Sequence, residues 1–170
     1  MIRVFGACLI VAGSALAGIY MAGNVRRTQK LYRDALRATA FMKSEIECHL
    51  TPLHEVYRQL SVLLPKPLST LFASLFEHAQ RSLGLPPAVH FTRGLQSLKK
   101  PLPHELNQLF AEMFDLLGRQ DSIAQMRAIT LTEERISEVL QQVSLEKKER
   151  CHAYQTIGFC AGIALVIILV

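Results

Sequence analysis

The chain ends in the stretch Tyr154–Val170, which reads YQTIGFCAGIALVIILV. From Ile157 onward this stretch contains no charged residue and no proline. A helix needs ~20 residues, with a range of roughly 17–25, to cross the hydrocarbon core of a bilayer. The run is at the short end of that range, and in water it would need a protein core to cover it. We therefore predict a C-terminal transmembrane anchor over residues 153–170, with a buried core helix as the alternative.

The beginning of the chain has the same character. Residues 4–25 are almost wholly apolar, with few polar interruptions. This pattern predicts an N-terminal transmembrane anchor over residues 1–25. The alternative is a secretory signal, because Ala15-Leu16-Ala17 before Gly18 has the form of a small-residue cleavage site. The apolar run continues beyond Gly18, which a signal peptide does not need.

Both apolar runs carry cations on the side that faces the middle of the chain. Loops rich in Lys and Arg stay on the cytoplasmic side of a membrane. We therefore predict a multi-pass cell-membrane protein whose middle domain, residues 26–152, lies in the cytoplasm. The cations are Arg26, Arg27, Lys30 and Arg33 after the first run, and Lys147, Lys148, Arg150 and His152 before the last.

Composition excludes several classes of protein. The chain has 170 residues, 50% of them hydrophobic, and a formal net charge of +5. Without the two anchors, about 125–130 residues remain, enough for one domain with a modest core. The juxtamembrane cations account for much of the charge, and no basic stripe with interleaved aromatics indicates nucleic-acid binding. The cysteines form no C-x-x-C pair, so they predict neither a disulfide framework nor a zinc site: Cys8, Cys48, Cys151 and Cys160.

Between the anchors, apolar residues recur at helical spacing and no stretch alternates like a strand. The pattern predicts an all-α antiparallel helical bundle, bracketed by the N- and C-terminal transmembrane helices. The second helix should bury Leu63 or Leu64, and the last should begin its buried face at Ile123. The predicted helices cover residues 28–50, 52–64, 68–83, 88–98, 104–117 and 122 onward.

Helix boundaries follow from capping residues. Thr51 has the side chain of an N-cap, and Pro52 suits the first helical position because it lacks an N–H, so Leu53 begins the apolar face. Gly118 should end the fifth helix and Asp121 should cap the last.

Catalytic motifs are absent: the sequence has no phosphate loop and no nucleophile elbow. We therefore predict no catalytic residue, no cofactor and no resident metal. A metal-binding or regulatory membrane protein is the alternative, through Glu45 with the cluster Cys48, His49 and His54. The two histidines are five residues apart and do not share a helix face well, so two surface histidines and a core cysteine are the simpler interpretation.

Glu45 falls on or beside the apolar seam of its helix. A carboxylate there is costly unless it is paired or hydrogen-bonded. It predicts either a salt bridge or cap inside the bundle, or a contact with a partner or cation.

Small residues recur every four positions in both apolar runs, a spacing that lets membrane helices approach closely. They are Ser14, Gly18 and Ala22 in the first run, and Gly158 and Gly162 in the last.

A set of motifs along the chain resembles the stage III sporulation protein AB family, membrane proteins of endospore-forming bacteria. The motifs are Glu45-Ile46, Thr51-Pro52-Leu53, Leu117-Gly118 with Asp121 and Gln125, and Ile157-Gly158 with Gly162 before an apolar end. Any one of them is weak, but together they are specific.

The resemblance implies a role in the channel complex between the mother cell and the forespore, in the mother-cell membrane around the forespore. It implies a non-enzymatic platform that docks a secretion-type ATPase, stage III sporulation protein AA, beside other channel-complex proteins. The family is similar to the F-type platform proteins of type II secretion. A homo-oligomer is compatible with this role. Exposed cations, for example Arg58 and Arg119, would then serve partner binding.

Overall fold

The computed structural model describes residues 26–82, 84–118 and 123–145. Within these ranges the chain forms six helices and no strand, so the predicted all-α class is confirmed for this part. The helices are α1 over residues 26–47, α2 over Leu53–Leu63, α3 over Leu68–Arg81, α4 over Pro87–Leu95, α5 over His104–Leu117 and α6 over residues 123–145.

The two predicted anchors, residues 1–25 and 153–170, lie outside the described residues. Their small-residue rows therefore stay predictions: Ser14, Gly18, Ala22, Gly158 and Gly162. In the ranges that are described, no helix combines the length and the apolar character needed to cross a membrane.

The chain divides into two compact units. The larger unit is Lys30–Leu140. The other consists of Met1–Gln29 and Gln141–Val170, of which residues 26–29 and 141–145 are described. In that second unit the side-chain amide of Gln29 donates a hydrogen bond of 2.6 Å to the hydroxyl of Ser144. The predicted limits of the bundle, residues 26 and 152, stay a prediction.

Successive helices of the larger unit run antiparallel. Short connections join α2 to α3, α3 to α4 and α4 to α5, and each of these pairs is packed together. The last pair, α5 and α6, is joined by two side-chain contacts. Arg135 Nη1 lies 3.2 Å from Glu112 Oε2, and the Gln125 amide donates to the Leu117 carbonyl at 3.1 Å. The end of α5 therefore meets the start of α6, and Glu112 meets the middle of α6.

The connections collect at two ends of the larger unit. One end, which we call the Leu50 end, holds the α1–α2 turn at residues 48–52, the loop before Pro87, and Gly118 at the end of α5. A Cβ added at Gly118 would lie 3.3 Å from Pro87 Cδ, so the end of α5 and the start of α4 are neighbours. The opposite end, which we call the Lys66 end, holds the α2–α3 turn at residues 64–67 and the α4–α5 connection at residues 96–103. The start of α1 belongs there too, because the Tyr32 hydroxyl donates to Glu105 Oε2 at 3.5 Å.

Aromatic side chains from four helices form the centre of the larger unit. Phe114 stacks on Phe91 with ring centroids 4.8 Å apart, and it meets Tyr57 and Phe110 edge-on at 6.0 and 6.3 Å. Such pairs add about 0.5–1.5 kcal/mol each beyond the burial of their area. Phe72 joins it through Tyr57, with ring centroids 6.3 Å apart, so the cluster connects α2, α3, α4 and α5.

Gly94 allows the short helix α4 to approach α3 closely. A Cβ at this position would lie 3.1 Å from Leu71 Cδ1 and 3.5 Å from Leu75 Cγ. A larger residue would therefore push the two helices apart or force Leu71 to move, since interiors are packed without spare volume.

Several predicted details were wrong. Thr51 does not cap α2: the N-cap is Pro52, which makes no side-chain capping bond, and α2 begins at Leu53. Ile123 is 74% exposed, although the pattern placed it on the buried face of α6. The predicted helix over 88–98 is Pro87–Leu95, and the predicted helix over 28–50 ends at residue 47. One open choice is resolved: Leu64, the C-cap of α2, is buried, and Leu63 is exposed.

Candidate docking surface

Glu45 fixes the turn between α1 and α2. The Thr51 hydroxyl donates a hydrogen bond of 2.7 Å to Glu45 Oε2, and the Thr51 backbone N–H donates to the Glu45 carbonyl at 3.0 Å. His49 Nδ1 lies 3.5 Å from Glu45 Oε1. Hydrogen bonds to a carboxylate are shorter and stronger than those between neutral groups. This explains why the Thr51 hydroxyl bonds Glu45 and does not cap α2. Glu45 is thus hydrogen-bonded at this turn, as the first of its two predicted alternatives required, and its contact with a partner stays a prediction.

Leu50 lies at the apex of this turn in an unusual conformation. Its φ angle is +51°, and its side chain is 83% exposed. The left-handed region costs a residue with a Cβ roughly 1–2 kcal/mol, and glycine would occupy it freely. The turn thus exposes the bulky apolar side chain of Leu50 to water, and its backbone conformation is one that glycine would favour. No residue type in the turn predicted this conformation, since glycine or asparagine would have been needed to indicate a left-handed turn.

An open groove lies between α1 and α6 at the same end of the larger unit. Its volume is about 610 Å³, and its apolar side chains include Leu131, which is 45% exposed, beside Ile123. Lys43 lines the groove, and its Nζ lies 3.7 Å from Glu133 Oε2. The remaining lining residues are Glu47, Met126, Arg127, Thr130 and Glu134. Periodicity missed this groove because it assigned Ile123 to the core.

The metal cluster of the alternative interpretation is not assembled. Cys48 is an exposed free thiol, and His49 points its Nδ1 at Glu45. Within residues 26–82, 84–118 and 123–145, no group of three or more His, Cys, Asp or Glu side chains is placed to hold a metal ion. Glu45, Cys48, His49 and His54 all fall in these ranges, so the structure does not bring them together as a site.

Of the two cations predicted for partner binding, Arg58 is described and Arg119 lies outside the described residues. Arg58 Nε donates to both carboxylate oxygens of Glu55 at 2.9 Å, and its Nη2 also contacts that carboxylate. The hydrogen bonds from Arg58 lower the pKa of the Glu55 carboxyl. Arg58 is thus exposed but already paired within α2.

The motif residues at the end of α5 have a structural role. Gln125 donates its side-chain amide to the carbonyl of Leu117, one of the carbonyls that have no partner at a helix end. Gly118 is the C-cap of α5. Asp121, the predicted cap of α6, lies outside the described residues.

Comparison with known proteins agrees with these motifs. The family model described as "Stage III sporulation protein AB" matches residues 3–170. The chain is similar to stage III sporulation protein AB of Bacillus subtilis (strain 168), with 28% identity over 176 residues, covering 99% of each protein. A solved structure of stage III sporulation protein AB has a similar fold, with a TM-score of 0.64 and 20% identity, covering 70% of this chain and 94% of that one.

The fold is therefore that of an all-α sporulation protein. The chain belongs to the stage III sporulation protein AB family, as the resemblance predicted.

Proposed function

We propose that this protein is a non-enzymatic membrane platform of the channel complex between mother cell and forespore. In this proposal residues 1–25 and 153–170 anchor it in the mother-cell membrane, and the bundle lies in the cytoplasm. Membership of the family supports the sporulation role. The apolar runs at both ends of the chain, with cations on their inner sides, support the membrane topology.

The proposal further assigns the Leu50 end to docking of the secretion-type ATPase, stage III sporulation protein AA. The observation that carries it is the exposed Leu50 side chain, presented by a turn that Thr51 and Glu45 hold in place. An exposed apolar side chain favours binding because a partner that covers it removes its surface from water. The groove beside Ile123 and Leu131 offers further apolar surface at the same end.

Replacing Leu50 with glycine separates docking from stability. Leu50→Gly removes the side chain and relieves the left-handed backbone, so the melting temperature should not fall. Binding of the purified ATPase to the detergent-solubilised full chain should weaken at least about tenfold, which corresponds to ~1.4 kcal/mol. Val62→Asn is the matched control, because Val62 is 82% exposed at the opposite end. ATPase binding unchanged in Leu50→Gly would remove Leu50 from the docking surface.

Labelling of intact cells tests the topology. Lys66 is exposed, so a single cysteine at Lys66→Cys in an otherwise cysteine-free variant reports on its compartment. A membrane-impermeant maleimide should label it only after permeabilisation. Labelling from outside would mean that the bundle is exported, and it would rule out docking of a cytosolic ATPase.

A further inference from the structure

The Lys66 end of the larger unit collects exposed cations that have no carboxylate partner. Lys66 lies in the α2–α3 turn, and Lys99 and Lys100 lie in the α4–α5 connection. The contact between Tyr32 and Glu105 brings the start of α1, with Lys30 and Arg33, to the same end. In the part of the chain that is described, none of these five cations has a carboxylate within ion-pair distance.

Two carboxylates near this end offset only part of its positive charge. Glu105 accepts the hydroxyl of Tyr32 and keeps its own negative charge, and burial together with this contact raises the pKa of Tyr32 to about 12. Asp34 is buried, and its Oδ1 lies 3.8 Å from Arg37 Nη1. The cations at the tip of the unit therefore face solvent with an excess of positive charge.

Exposed aliphatic side chains accompany these cations. Val62 and Leu63, in the last turn of α2, are 82% and 59% exposed and come directly before the α2–α3 turn that carries Lys66. Aliphatic side chains beside lysines suit the boundary of a bilayer, where headgroups meet the cations and acyl chains meet the aliphatic groups.

At the Leu50 end, several cations have a carboxylate partner. There Arg58 pairs with Glu55, Arg81 lies 3.7 Å from Glu77, and His49 lies 3.5 Å from Glu45. Arg127, exposed in the groove at this end, is not among these pairs, so the two ends differ in how many of their cations are paired.

We propose that the Lys66 end rests on an anionic lipid surface, through Lys66, Lys99 and Lys100 with Val62 and Leu63 inserted among the headgroups. This inference rests on the proposed membrane anchoring. Lys30 follows Val25, the last residue of the first apolar run, by five residues. Residues 26–30 are helical and rise only ~1.5 Å each, roughly 7.5 Å in all, so an anchor over residues 1–25 keeps Lys30 near the bilayer. At that range an anionic surface attracts cations, within a Debye length of ~8–10 Å at physiological salt.

An environment-sensitive fluorophore at Val62 tests the proposal. The full chain, with Cys8, Cys48, Cys151 and Cys160 changed to alanine and Val62→Cys added, is reconstituted into vesicles and labelled with a nitrobenzoxadiazole maleimide. In vesicles of phosphatidylcholine with phosphatidylglycerol, the emission should shift to the blue, and a headgroup-region spin-labelled lipid should quench it. In vesicles of phosphatidylcholine alone, both effects should be much weaker.

Charge reversal identifies the source of the effect. The double variant Lys99→Glu with Lys100→Glu should abolish the blue shift and the quenching. The matched control is Arg81→Glu with Arg127→Glu, which changes the net charge equally at two exposed cations outside the Lys66 end and should leave both signals intact. A label that stays in water in anionic vesicles, or that responds equally to both double variants, would overturn the proposal.

Flotation of the vesicles separates this proposal from the anchoring on which it rests. Protein that does not float after carbonate extraction would overturn both. Protein that floats while the Val62 label stays in water would overturn the lipid contact alone. A blue shift produced by a DNA duplex and not by anionic vesicles would assign the cations to nucleic acid and also overturn it.

Discussion

The two ends of the larger unit differ in how their charged and apolar side chains are arranged. The Leu50 end pairs several of its charges within single helices or turns and exposes the side chain of Leu50 on a left-handed backbone. The Lys66 end leaves its cations unpaired around the last turn of α2. Paired charges with an exposed apolar group suit a protein partner, because pairing leaves little charge to desolvate. Unpaired cations suit an anionic surface, because their attraction is long-ranged.

Removal of the Phe114 ring should weaken binding at both ends of the larger unit. Phe114→Ala deletes the side chain that contacts Tyr57, Phe91 and Phe110, and a buried Phe→Ala change costs about 3–5 kcal/mol. Because Phe114 lies between the two ends, ATPase binding and the lipid signal should fall together. Chemical denaturation measures the loss of stability. Loss of one signal alone would mean that the ends are not held by a common core.

Removal of the buried hydroxyl of Tyr57 should instead stabilise the fold. It has no hydrogen-bond partner within the described part of the chain, and burial raises the pKa of the phenol. A buried polar group without a partner costs about 1–3 kcal/mol, so Tyr57→Phe should stabilise the fold by up to that amount. The midpoint of chemical denaturation should rise while both ends keep their binding. A lower midpoint would mean that the hydroxyl has a partner in solution.

Thr51→Val should act at the Leu50 end alone. It keeps the shape of the side chain but removes the hydroxyl that bonds Glu45, at a cost of about 1 kcal/mol. The turn that presents Leu50 should then loosen, and ATPase binding should weaken while the Val62 fluorophore keeps its blue shift. The control is Ser61→Ala, because Ser61 bonds the Arg58 carbonyl within α2 and does not contact the turn. Weakened ATPase binding in both variants would contradict a specific role for the turn.

His90 should make the fold sensitive to acid. Burial lowers the pKa of its imidazole, and His78 on α3 and Arg93 on α4 lower it further, against a hydrogen bond to the backbone of Leu85. An unfolded histidine takes up its proton near pH ~6.5, above the pKa that His90 has in the fold. The free energy of unfolding should therefore decrease as the pH falls below about 6.5, until the pH passes below the lowered pKa.

His90→Gln removes this titrating group, so its free energy of unfolding should depend less on pH than that of the parent chain. Urea denaturation at a series of pH values gives both slopes. Equal slopes would place the acid sensitivity at another residue. The effect should be the smallest of the four, since it comes from one group.

The sequence predicted the helices better than the surfaces. Periodicity identified the core positions Phe72, Phe110 and Met113, because burial repeats with the helical period. It misassigned Thr51, because the choice between capping α2 and bonding Glu45 depends on how the turn brings two residues six apart together. It placed Ile123 in the core, because a helix end can leave an apolar residue uncovered without changing the pattern. Periodicity could not predict the left-handed conformation of Leu50, because leucine rarely adopts that conformation.

The central claim is that the two ends face different partners, and one experiment compares them directly. The full chain is reconstituted in anionic vesicles with a single thiol, either the native Cys48 at the Leu50 end or Val62→Cys at the Lys66 end. The rate of reaction with a water-soluble maleimide is measured with and without the purified ATPase. We expect the ATPase to slow the reaction of Cys48, which is exposed beside Leu50. We expect Val62→Cys to react slowly in both cases, because lipid covers it. Protection of Val62→Cys by the ATPase, with Cys48 unaffected, would contradict the account.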